Sequence, residues 1–108
     1  MPGVITPSEV EVALSLGARL LKFFPAEAFS GRTVIKALAA PYAHTGVQFM
    51  PTGGVTTANL AEYLCMENVA CVGGTWIASR EAIAGKKWTQ IRDACRTAVE
   101  AVRTIRAG

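Results

Sequence analysis

Apolar residues follow two alternating rhythms along this chain. Short, nearly continuous runs, among them Ala18-Arg19-Leu20-Leu21-Lys22-Phe23-Phe24-Pro25, Val47-Gln48-Phe49-Met50-Pro51 and Val69-Ala70-Cys71-Val72, are punctuated by Gly, Pro or Thr. Runs of this length between breakers predict strands buried on both faces. Met1-Pro2-Gly3-Val4-Ile5 reads as the tail of one more. Between the runs, the apolar positions spread to a helical period. Thr6-Pro7-Ser8-Glu9 predicts a helix start, with Thr6 as the cap, Pro7 at the first helical position and Glu9 completing a capping box. Gly17 ends that helix. A second helix places Val34, Ile35 and Leu38 on one face, and Pro41 stops it. Thr56 or Thr57 caps a third, which runs through about Met66. A helical turn follows Ser79 and ends near Gly85. Last, Trp88, Ile91, Cys95, Ala98, Val99, Val102 and Ile105 recur at 3.6 spacing and predict a long helix with a core-facing stripe.

The order is therefore strand stub, helix, strand, helix, strand, helix, strand, helix. Strict alternation implies a parallel sheet with right-handed crossovers. Two α/β architectures fit: a small doubly wound sheet, or part of a (β/α) barrel. A complete barrel needs eight units and about 200 residues or more. This chain of 108 residues holds roughly three units and the stub. No linker or low-complexity stretch divides it, so residues 1–108 are expected to form a single α/β unit.

Composition narrows the function classes. Hydrophobic residues make up 51% and charged ones 18%, which excludes a disordered chain. The net charge of +3 comes from scattered basic residues, with Arg92, Arg96, Arg103 and Arg106 gathered in the last helix. That is a solvated helix face with some attraction for anionic substrates. Nucleic acid is not an expected partner, because no aromatic-basic motif accompanies the charge. Cys65, Cys71 and Cys95 are too few and wrongly spaced for a disulfide framework or a zinc site, and read as buried reduced thiols. No apolar run is long enough to span a membrane and no signal peptide is visible, so a cytoplasmic location without a membrane partner is expected.

The costliest residue in this pattern is Lys22, a lysine inside an apolar strand. Desolvation would disfavour its ammonium form and free the neutral amine as a nucleophile. Such an amine attacks a ketone to give a Schiff base. The plainer reading is a lysine that snorkels to the strand end or pairs with a carboxylate. Two glycine pairs, Gly53-Gly54 and Gly73-Gly74, each follow a strand, and Thr52 and Thr75 flank them with hydroxyls. Glycine lets backbone N–H groups approach an anion closely, and such nests bind phosphate. One pair alone is more often a tight turn. Two pairs after consecutive strands suit the phosphate loops of a barrel. Together these residues point to an enzyme acting on a phosphorylated ketone or keto acid. Glu27, the carboxylate nearest to Lys22 in sequence, is expected to cap or pair rather than to act as a base. His44, the lone histidine, falls in a surface loop at the opposite strand end.

The string Lys22-Phe23-Phe24-Pro25-Ala26-Glu27 resembles the Schiff-base segment of the 2-keto-3-deoxy-6-phosphogluconate (KDPG) aldolases, which include the 4-hydroxy-2-oxoglutarate aldolases. Pro2-Gly3-Val4, Thr6-Pro7-Ser8-Glu9, Pro51-Thr52-Gly53-Gly54 and Gly73-Gly74-Thr75-Trp76 match in order and spacing. The likeness covers essentially the whole chain, but only the C-terminal half of the family's pattern. It implies the C-terminal half of a (β/α)8 TIM barrel, from a stub of the fifth strand through the eighth helix. It also implies a class I aldolase with no cofactor and no metal, in which Lys22 forms the imine and the substrate yields pyruvate and glyceraldehyde 3-phosphate. By the same resemblance Phe24 is the pocket-wall phenylalanine. Thr52, Gly53 and Gly54 form the loop near substrate and phosphate. Gly73, Gly74 and Thr75 form the second phosphate loop, with threonine where serine is common. The family's acid/base glutamate and substrate-holding arginine belong to an N-terminal half not present here. Turnover by this chain is therefore expected to be weak or absent. Its open edges are expected to drive self-association or pairing with the missing half. The competing reading is a non-catalytic structural half-barrel that at most binds phosphate or pyruvate.

Overall fold

The computed structural model describes residues Met1–Gly108 and places the elements in the expected alternation. Three parallel strands, β1 (Gly3–Val4), β2 (Leu20–Phe23) and β3 (Gln48–Pro51), form one sheet in that order. Helix α1 (Pro7–Ser15) connects the first pair and α2 (Gly31–Tyr42) the second. Then follow α3 (Leu60–Leu64), α4 (Arg80–Ala84) and α5 (Trp88–Ala107). Register aligns Val4 with Phe23, Leu21 with Phe49 and Phe23 with Pro51.

That register puts Val4, Leu21, Phe23, Phe49 and Pro51 on one face of the sheet, where all five are buried. Val10 and Ala13 of α1 and Ile35 and Leu38 of α2 pack into the same core cluster, as do Leu60, Tyr63 and Leu64 of α3. The other face carries Leu20, Lys22, Gln48 and Met50, none of which is buried. The strands therefore alternate with period two instead of being buried on both sides. This corrects the reading of the apolar runs. A run such as Leu20-Leu21-Lys22-Phe23 cannot reveal which of its faces a helix will cover.

The capping box forms as expected. Glu9 N–H donates to Thr6 Oγ1 at 3.3 Å, and Glu9 Oε1 accepts from the N–H of Thr6 at 3.0 Å and of Ile5 at 3.2 Å. The Thr6 backbone bond, then its hydroxyl, then the Ile5 N–H hold the Glu9 carboxyl below the usual glutamate range. Because the folded state depresses this value, the associated stability is present above the ordinary glutamate range. It is lost as pH falls through the lower folded value. Thermal melts followed by circular dichroism from neutral to strongly acidic pH should therefore show a smaller acid-dependent loss for Glu9→Gln than for the wild type.

Three elements differ from expectation. The fourth strand is reduced to two isolated parallel bridges, Phe49 with Val69 and Thr52 with Gly73. Between those bridges β3 advances three residues (49 to 52), whereas the facing segment advances four (69 to 73). The extra residue breaks the ladder, as a bulge does. Helix α3 starts at Leu60 rather than at Thr56, because the Asn59 side chain accepts the Thr56 N–H at 2.9 Å and closes a turn ahead of it. In α5, Ala101, Val102 and Ile105 pack on the core, but Val99 and Trp88 are exposed, so the expected stripe does not face the core along its whole length. Near the α5 C-terminus the Arg106 guanidinium donates to Val69 O at 2.6 Å. Cys65 and Cys95 are exposed and Cys71 is half-buried, which corrects the expectation of buried thiols. No helix is long and apolar enough to cross a membrane.

Candidate active site

Lys22 projects from the open face of the sheet, near the C-terminal end of β2. Its N–H donates to Pro2 O at 2.8 Å, which fixes the backbone beneath it. The side chain is half-buried, not enclosed, because no helix lies over that face. Its Nζ sits 4.8 Å from the centroid of the Phe24 ring, within cation–π range. Arg32 and Arg92 make the chain's ion pairs, and Lys22 makes none. The amine is therefore not a structural lysine neutralised by a carboxylate. Phe24 is 48% exposed, so its ring walls the amine on one side and meets solvent on the other.

Residues 52–54 continue from β3 and are stitched to the segment that follows β2. Thr52 N–H donates to Phe23 O at 2.9 Å, Ala26 N–H to Thr52 O at 2.8 Å and Glu27 N–H to Gly53 O at 3.0 Å. Gly54 has φ +78°, and a Cβ there would lie 2.7 Å from Glu27 Cβ, so both backbone and space require glycine. Gly73 docks on the other side of Thr52, and its N–H donates to Pro51 O at 3.0 Å. A Cβ at Gly73 would lie 2.7 Å from Thr52 Oγ1. Gly74 is covered by the Trp76 ring, which places that tryptophan beside the loop, and Thr75 is exposed.

Lys22, Phe24, Thr52, Gly53, Gly54, Gly73, Gly74 and Thr75 thus share the C-terminal end of the sheet. The N–H groups of Gly53, Gly54, Gly74 and Thr75 donate to no protein acceptor. Such free amides are available to an anion. A groove of about 660 Å³ lies at the opposite end of β3 among Leu38, Tyr42, Val47 and Met66, and none of the candidate residues lines it. His44 is exposed at that far end too, outside the site. No three His, Cys, Asp or Glu side chains are grouped to hold a metal ion.

Glu27 is a pairing carboxylate, as its place in sequence suggested. Oε2 accepts from the Tyr63 hydroxyl at 2.7 Å and Oε1 from Asn59 Nδ2 at 2.9 Å. Arg32 Nη2 stands 3.7 Å from Oε1 and also pairs with Glu62. Burial, and after it the Glu27 carboxylate, pushes the Tyr63 phenol far above the usual tyrosine range. Tyr63 therefore stays a proton donor to Glu27 at any working pH. The only signal for Asn59 and Tyr63 in the sequence is their four-residue spacing, which sets the residue capping α3 and one within it on the same side.

The family model described as KDPG and KHG aldolase matches residues 1–94. The 2-dehydro-3-deoxy-phosphogluconate aldolase of Haemophilus influenzae is 39% identical over 102 residues, covering 94% of this chain and 47% of the relative. The KHG/KDPG aldolase of Escherichia coli is 37% identical over 103 residues, covering 95% and 47%. Among solved structures, the KDPG aldolase of Legionella pneumophila, with pyruvate captured at low pH as a covalent carbinolamine, superposes with a TM-score of 0.82. It is 44% identical and is matched over 88% of this chain and 45% of its own. The chain spans about half the length of the curated relatives it matches. Collinear motifs, parallel α/β topology and this degree of identity converge: the chain belongs to the KDPG and KHG aldolase family.

Proposed function

We propose that the chain carries the Schiff-base centre and phosphate loops of a class I aldolase that cleaves 2-keto-3-deoxy-6-phosphogluconate. The observation that supports this best is the unpaired Lys22 amine beside Phe24, at the same sheet end as two loops whose amides lack protein acceptors. The neutral amine of Lys22 adds to the substrate's C2 carbonyl, giving a carbinolamine. Protonation of the carbinolamine hydroxyl and loss of water give the iminium. The C4 hydroxyl gives its proton to water as the C3–C4 bond breaks and that bond's electron pair moves into the iminium, releasing glyceraldehyde 3-phosphate and leaving an enamine of pyruvate. Protonation at C3 and addition of water return pyruvate, the free amine and a proton. The residue 52–54 and 73–75 loops grip the remote phosphate, and that binding energy positions the carbonyl at the amine. The pyruvate carbinolamine captured in the Legionella relative is the kind of species that the final hydrolysis passes through.

Residues 1–108 act in this reading as one unit of a (β/α)8 barrel, from its fifth strand to its eighth helix. Helices on one sheet face only, with Lys22 on the bare face, fit a barrel wall. A doubly wound sheet carries helices on both faces. The bare face is covered by a second copy or by a complementary N-terminal half. Sedimentation velocity at rising concentration should show association, and a persistent monomer would count against it. Both Glu27 oxygens are engaged by Tyr63, Asn59 and Arg32, so proton transfers fall to water and turnover is weak or absent in the chain alone.

The reading is tested by incubation with pyruvate and borohydride, followed by peptide mass mapping. The reduced adduct is expected on Lys22. No adduct on a chain that circular dichroism shows to be folded would instead favour an inert phosphate-binding module.

A further inference from the structure

Imine chemistry explains Lys22 and Phe24 but leaves the Glu27–Asn59 pair without a task. Asn59 Nδ2 donates both to Glu27 Oε1 at 2.9 Å and to Gly54 O at 3.0 Å. Its Oδ1 accepts the Thr56 N–H at 2.9 Å. Only this orientation of the amide satisfies all three partners, since the reverse would face donor to donor and acceptor to acceptor. Glu27 adds its own N–H to Gly53 O at 3.0 Å and fills the space beside Gly54. Both loop carbonyls are therefore held on the Glu27–Asn59 side. A trans peptide is planar, so each C=O points opposite to the N–H of the next residue. Fixing Gly53 O turns the Gly54 N–H away from Glu27, and fixing Gly54 O does the same for Val55. Neither N–H has an acceptor in the protein, and Val55 is buried. Gly54 is exposed and its N–H is open to solvent, whereas an unpartnered donor on a buried residue such as Val55 is costly; the pair offers two adjacent amides to an external acceptor.

We propose that Glu27 and Asn59 are positioning residues that aim the Gly54 and Val55 amides at the substrate's phosphate. This rests on the aldolase reading for the identity of the ligand, but not for the geometry. Tyr63, fully buried, anchors the Glu27 carboxylate from behind. Removing the Asn59 donor frees the Gly54 carbonyl and lets the peptide rotate.

The test titrates inorganic phosphate into the 15N-labelled chain and follows the Gly54 and Val55 amides. It compares the wild type with Asn59→Ala and Asn59→Asp, and runs pyruvate–borohydride trapping in parallel. Asn59→Asp keeps the acceptor for Thr56, so the turn ahead of α3 survives even if the alanine variant folds poorly. The wild-type amides should move on titration, and both variants should need about tenfold more phosphate, the loss expected for misaligned bonds to a charged group. Trapping of pyruvate, which has no phosphate, should persist. Unmoved wild-type amides, unchanged phosphate affinity in the variants, or a joint loss of phosphate binding and trapping would overturn the positioning role. Trapping absent in all three proteins, with the phosphate shifts behaving as described, would remove the aldolase reading and leave the positioning role standing.

Discussion

Replacing Lys22 with arginine is expected to abolish the pyruvate adduct while the chain stays folded. Arginine keeps the positive charge and the long stem, so its contact with the Phe24 ring is preserved. A guanidinium cannot give a neutral amine under working conditions, and no imine forms. The borohydride-trapped product should fall by on the order of 10³-fold or more, as when the nucleophile of a covalent mechanism is removed. What remains is the background from Lys36, Lys86 and Lys87, all exposed. Quantitative peptide mapping checks the loss, and a thermal melt checks the fold. Because the residue 52–54 loop is held by Glu27 and Asn59 and not by Lys22, phosphate-induced amide shifts should survive. An adduct that persists at wild-type yield in Lys22→Arg would assign the chemistry to another lysine.

The second large effect is on stability. Phe49 is fully buried at the centre of β3, opposite Leu21 and bridged to Val69. It is the side chain on which β2, β3 and the residue 69–73 segment all depend. Phe49→Ala should cost about 3–5 kcal/mol, from lost transfer free energy plus the cavity left behind. That is a large part of the total for a domain whose stability is on the order of 5–15 kcal/mol. Urea unfolding should show a lower midpoint with little change in slope. A loss below about 1 kcal/mol would mean that the core around Phe49 collapses freely, against the packing described. The damage should reach the site as well, since Thr52 bridges to Gly73 only three residues beyond Phe49.

Much of this architecture is legible in the chain because local chemistry decides it. Thr6, Pro7 and Glu9 specify a helix start by hydrogen bonds made within four residues. Ser79 does the same for α4, where its Oγ accepts the Ala82 N–H at 3.1 Å. The motif residues, too, assemble at one end of the sheet as the alternation of strands and helices requires. What sequence does not disclose is which face of each strand is covered. Leu20 and Leu21 look equivalent in the run, yet one is 38% exposed and the other fully buried. That choice is made by α1 and α2 packing on a single side, a long-range event. The same holds for Lys22, expected to be enclosed and found half-buried. The residue 69–72 run fails as a strand because of an extra residue relative to β3, a matter of pairing rather than propensity. Asn59 and Tyr63 were invisible because their partner, Glu27, lies more than thirty residues away. Glu27 itself was legible as a pairing carboxylate only because Pro25 takes it past the strand end.

In the proposed reaction, one lysine of four reacts with a keto acid because of where the fold places it. The most direct measurement is the relative rate of borohydride trapping at Lys22, Lys36, Lys86 and Lys87 under limiting pyruvate, resolved by peptide mass. Lys22 should be labelled well ahead of the other three, and its lead should vanish when the chain is unfolded in urea. Equal labelling of all four in the folded protein would contradict the account and leave the glycine loops as turns between secondary-structure elements.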